Sequence, residues 1–164
     1  MSVAVAPPAM INRVETLKRD HGRLRVLLSA CEGAGALELP GLLRQLHDVF
    51  VPHQRAKEQL YETVVESCKE AKDATTLTLL NIFRTNLTVM SNAVLGFFSH
   101  VDADPERLRQ RFRTVAAALR SLMDTEEKSV FPLCLRQQTR MQQPARSLRI
   151  QTLSEPPPWQ AGGR

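Results

Sequence analysis

Between Leu108 and Leu133 the apolar residues fall at Leu108, Phe112, Val115, Leu119, Leu122, Val130 and Leu133. Steps of three and four put them on one stripe of an α-helix, the pattern of a helix that buries one face. One position on that stripe breaks it. Glu126 stands four residues after Leu122, one turn further along the same face. A carboxylate on a buried seam costs several kcal/mol unless a cation or hydrogen-bond donors meet it. The stretch therefore requires both a packed partner surface and a positively charged neighbour. The other register, with Glu127 inward, needs a phase shift of the kind that the interior Pro132 can introduce.

Three more seams precede this one. The first helix, about Ile11 to Cys31, carries Val14, Leu17, His21, Leu24, Leu28 and Cys31, and the two glycines of EGAGA at 32–36 suit a left-handed exit. The second starts near Pro40 and carries Leu43, Leu46, Phe50, His53, Lys57, Leu60 and Val64. Pro52 lies inside it, removes the hydrogen bond to Asp48 and is expected to kink or split it. Residues 69–76 read as a loop with Asp73 or a Thr as the next N-cap. The third seam reads Leu80, Phe83, Leu87, Met90, Val94 and Phe97; Asp104 and Pro105 then open a fourth helix that reaches about Gln138. The pattern predicts an all-α fold, an antiparallel up-down four-helix bundle over residues 11–138. Residues 1–10 and the Arg- and Pro-rich stretch 139–164, with PPPW at 156–159, are expected to be disordered.

Charge and cysteine content narrow the function classes. The net charge of +5 is compatible with an acidic partner. Arg107, Arg109, Arg111, Arg113 and Arg120 crowd the fourth helix, and most lie off its seam, which reads as a solvated face. No aromatic residues interleave them, so nucleic-acid binding is not favoured. No apolar run reaches membrane-spanning length, and MSVAVAPPAM is not built like a signal peptide. Cys31, Cys68 and Cys134 form no CxxC pair and are read as reduced thiols of a cytoplasmic protein.

In an up-down bundle the middles of the seams meet at one depth. Here that layer is expected to hold His21, His53, Lys57, Met90, Leu122 and Glu126. His21 and His53 read equally well as metal ligands and as hydrogen-bonded core histidines. Met90 reads as a gap-filling core residue. No nucleophile, second carboxylate on a seam or phosphate loop accompanies Glu126, so the chain is not expected to be an enzyme.

At these positions the chain resembles the hemerythrin-like HHE bundles, non-haem di-iron proteins. RDHGRLRVLL at 19–28 is similar to the family's first-helix motif. The family's His-x-x-x-Glu of the second and fourth helices appears as His53-x-x-x-Lys57 and Leu122-x-x-x-Glu126, and Met90 stands where a third-helix His is expected. Carried over, the resemblance implies ligand types at His21, His53 and Glu126, and their loss at Lys57, Met90 and Leu122. A fainter resemblance is to anti-sigma factors of the Rsd/AlgQ type, through His53 followed by Glu58-Gln59-Leu60 and the pair Glu126-Glu127.

A bridged iron pair needs His nitrogens and at least two carboxylates. The leading expectation is therefore a non-enzymatic regulatory or protein-binding bundle with no cofactor, its site closed by a Lys57–Glu126 pair. Its partner would be a protein, a sigma factor among the options, and homo-oligomers fit the pattern as well. The alternative is a metal-binding HHE protein, with non-haem iron at His21, His53 and Glu126, in oxygen, nitric oxide or redox sensing.

Overall fold

The computed structural model describes residues 10–142, and no strand occurs among them. The chain forms α1 (Met10–Gly33), α2 (Leu39–Glu70), α3 (Ala74–Ser99) and α4 (Pro105–Thr125). A π-helical turn, Glu126–Val130, then joins α4 to α5 (Phe131–Gln142). Each helix packs on the next, and the α4–π–α5 rod closes against α1 and α2. This is the expected four-helix bundle.

The helix ends follow local chemistry. Asp73 caps α3, its Oδ1 accepting from the Thr76 N–H at 3.0 Å. Asp104 caps α4 through the Glu106 N–H at 3.0 Å, with Pro105 in the first turn. Pro40 likewise sits in the first turn of α2. The expected left-handed exit at EGAGA is not found: no described glycine has positive φ. Residues 34–38 instead close ordinary turns, with Ala34 N donating to Cys31 O and Glu38 N to Gly35 O. The left-handed residue is Lys72, φ 54°, after α2, where Asp73 N reaches back to Cys68 O at 2.9 Å.

Neither interior proline divides its helix. α2 runs unbroken through Pro52. One lost hydrogen bond is outweighed there by a face that buries Phe50, His53, Lys57 and Leu60. Pro132 follows the π turn, in which the Phe131 N–H donates to Glu126 O, one residue beyond the α-helical partner. That extra residue rotates α5 relative to α4. Phe131, which lay off the sequence seam, becomes fully buried beside Val130 and Cys134. On α4 the buried face includes Ala116, while Val115 packs at its edge.

The helical rod reaches Gln142, the last described residue, beyond the expected limit near Gln138. Met10 belongs to α1, whereas residues 1–9 and 143–164, expected to be disordered, lie outside the described residues. Cys31, Cys68 and Cys134 are buried and form no disulfide. Among the described residues no helix is long and apolar enough to cross a membrane.

Candidate metal centre

Glu126 is the first residue of the π turn and is fully buried between the helices. Its two carboxylate oxygens face different partners. Oε1 lies 2.8 Å from Lys57 Nζ and accepts from the Tyr61 hydroxyl at 3.1 Å. Oε2 lies 3.1 Å from His21 Nε2 and 4.0 Å from His53 Nε2. His53, Lys57 and Tyr61 follow one another at four-residue steps, so α2 presents all three on one face. α1 supplies His21, and α3 supplies Ser91, whose Oγ accepts from Lys57 Nζ at 3.5 Å.

The electrostatics keep charge at the centre. Burial pushes the Glu126 carboxyl up, but the His21 hydrogen bond and the Lys57 ammonium outweigh it and hold it below its ordinary value. Burial also drives His53 down to about 3, against the pull of Glu126 and with help from its His21 and Lys57 neighbours. His53 is therefore a neutral imidazole at neutral pH. Burial, reinforced by the Glu126 charge, raises the Tyr61 phenol, which stays a hydrogen-bond donor.

A second tier of carboxylates backs the imidazoles. His21 Nδ1 lies 2.7 Å from Glu127 Oε1, which also accepts from Arg25 Nη1 at 2.9 Å. Arg25 reaches Asp124 as well, Nη2 to Oδ1 at 3.1 Å. Against its partial burial, Arg25 and His21 hold Glu127 below its ordinary value. With Nδ1 engaged by Glu127, the Nε2 of His21 is the nitrogen turned to the centre. The ring stacks on Phe131 at 5.6 Å, so the π turn that buries Phe131 also fixes His21. Behind His53, Asp20 Oδ2 lies 3.7 Å from Nδ1.

The donor set fits a cation. Both ring nitrogens of His53 are buried without a hydrogen-bond partner. An orphaned neutral imidazole costs free energy unless something takes its lone pair. One ligand atom each from His21, His53 and Glu126 lies within 4.8 Å of the others. Two metal–ligand bonds of about 2.1 Å span at most about 4.2 Å, so the donors would close in slightly around an ion.

Four of the six residues expected in the polar layer, His21, His53, Lys57 and Glu126, meet around this carboxylate. Leu122 is buried and apolar one turn before Glu126. Met90 is only half-buried at the flank of the core, and Ser91 takes the inward place on α3. Tyr61, Ser91, Glu127 and Arg25 were missed as site residues. Tyr61 carried a signal, four residues after Lys57 on the same face. Glu126 and Glu127 had been set against each other as alternative registers, yet both reach His21.

No curated protein and no solved structure matched the chain. A family model did: the hemerythrin HHE cation-binding domain matches residues 12–134. It lends nothing to the anti-sigma resemblance. Together with the buried His21–His53–Glu126 cluster, it overturns the expectation that the chain needs no cofactor. That expectation took the Lys57–Glu126 pair and a metal as mutually exclusive. The pair uses one carboxylate oxygen, and the other is left facing two imidazoles. The match extends from the first helix into the rod that carries Glu126, and on that ground the chain belongs to the hemerythrin HHE cation-binding family.

Proposed function

We propose that this chain is a metal-binding sensor in which His21, His53 and Glu126 hold a transition-metal cation, non-haem iron foremost. The observation that carries the reading is His53: a buried imidazole with both nitrogens orphaned beside a carboxylate oxygen and a second imidazole. Two imidazoles and one carboxylate, with coordination positions left over, form the donor set of non-haem iron(II) sites. A metal bound there would supply open positions for a small ligand and a change of redox state. All three donors are fully or almost fully buried, which favours oxygen or nitric oxide over larger ligands. Glu127 and Arg25 orient His21, Tyr61 and Lys57 hold Glu126, and Phe131 walls one side. The regulatory role read from the sequence takes this form: a sensor passes its state to a protein partner.

The test is metal content. Apo protein dialysed against Fe²⁺, Co²⁺ or Zn²⁺ and then desalted should retain metal, and bound Co²⁺ should show a ligand-field spectrum. His53→Ala and Glu126→Gln should abolish retention while the helical CD signal persists. Wild-type protein that retains no more metal than these variants would overturn the reading.

A further inference from the structure

We infer that Lys57 permanently fills one of the two cation positions on Glu126, so the centre holds a single metal ion and holds it against the charge of the ammonium. The inference rests on the metal site proposed above. A carboxylate can bridge two cations, one at each oxygen. Here Oε1 is taken by the Lys57 ammonium at 2.8 Å, with the Tyr61 hydroxyl beside it at 3.1 Å. Both imidazoles lie on the Oε2 side.

The surroundings of Oε1 are built for an ammonium and not for a metal. Lys57 is fully buried and its Nζ has a second partner in Ser91 Oγ at 3.5 Å. The oxygens that meet the pair on that side are the hydroxyls of Tyr61 and Ser91, not carboxylates. Ser91, which Lys57 reaches on α3, and Leu122, buried one turn before Glu126 on α4, bring neither an imidazole nor a carboxylate. A second metal would have to displace the ammonium and then find no anionic ligand of its own. Lys57 therefore sets the stoichiometry. Because it draws on the same carboxylate as the metal, it also weakens the first ion's hold.

The experiment uses the full chain, stripped by chelation and titrated anaerobically with Co²⁺. Stoichiometry is read by elemental analysis and affinity by chelator competition. Wild type should bind one ion per chain. Lys57→Met should still bind one, on the order of tenfold more tightly, because a competing charge is gone. Lys57→Gln keeps a hydrogen-bond donor for Glu126 without the charge, and should tighten binding in the same direction even if the Met variant folds poorly. A merely structural lysine would show the opposite, with weaker binding in both variants. Two ions per wild-type chain, or unchanged or weaker binding in Lys57→Gln, would overturn the inference and leave the metal site standing. No ion at all in wild type would instead remove the proposed function.

Discussion

Lys57 Nζ lies 2.8 Å from Glu126 Oε1, and neither side chain is accessible to solvent. The pair joins the middle of α2 to the junction of α4 and the π turn, so it ties two of the helices that close the bundle. Breaking one half of a buried ion pair strands the other, at about 3–5 kcal/mol, whereas replacing both with apolar groups costs much less. In metal-free protein, Lys57→Met and Glu126→Leu should each lower stability by about that amount, and the double variant should recover much of the loss. Urea unfolding in a double-mutant cycle measures it. Small effects that simply add would show that the pair contributes no coupling.

Glu127 acts on the centre through His21 and does not face it. Its Oε1 sits 2.7 Å from His21 Nδ1 and is itself held by Arg25. Replacing such an outer carboxylate typically lowers metal affinity about 10–100-fold. Glu127→Gln should fall in that range for Co²⁺, with the ion still bound and the spectrum only perturbed. Arg25→Ala should cause a smaller loss, since Glu127 stays in place but less restrained. Affinity unchanged in Glu127→Gln would mean that Phe131 alone orients the ring.

Lys72 holds a left-handed conformation, φ 54°, at the exit of α2. That region costs an L-residue about 1–2 kcal/mol and costs glycine little. Glycine also gains freedom in the unfolded chain, which offsets part of the benefit. Lys72→Gly should therefore stabilise the bundle by about 0.5–1 kcal/mol and raise Tm by a few degrees. A lower Tm would show that the lysine side chain contributes more than the backbone strain removes.

The thiols should be unreactive in the native state. Burial pushes Cys31 up to about 11, with a smaller push from Glu32, and Cys134 up to about 12, with a smaller push from Cys68. A raised thiol value makes the reactive thiolate scarcer at a given pH, about one part in a thousand or less at pH 8. Iodoacetamide at pH 8 should leave Cys31, Cys68 and Cys134 unmodified over minutes and label all three in denaturant, as read by mass. Raising the pH towards 11 should expose Cys31 before Cys134. Rapid labelling of one thiol at pH 8 would indicate a local opening around it.

The sequence by itself determined the four amphipathic seams, and with them the helices, the bundle and the cap at Asp104, and it narrowed the α3 cap to Asp73 or a Thr. It also determined that His21, His53, Lys57 and Glu126 would meet, because one apolar stripe per helix leaves little choice of what faces inward. Seam spacing could not show how a carboxylate divides its two oxygens, since that is a matter of ångströms between helices. Only the tertiary structure put Lys57 on one oxygen and two imidazoles on the other, so the pair read as a metal's replacement leaves one carboxylate oxygen beside two imidazoles. The same holds for Ser91, which faces inward in place of Met90, and for the left-handed turn, which falls at Lys72 and not at the glycines. The π turn is the clearest case. One extra residue in the helix rotates Phe131 onto His21 and brings Glu126 and Glu127 to opposite nitrogens of one ring, a phase shift that fixed 3.6-residue periodicity cannot represent.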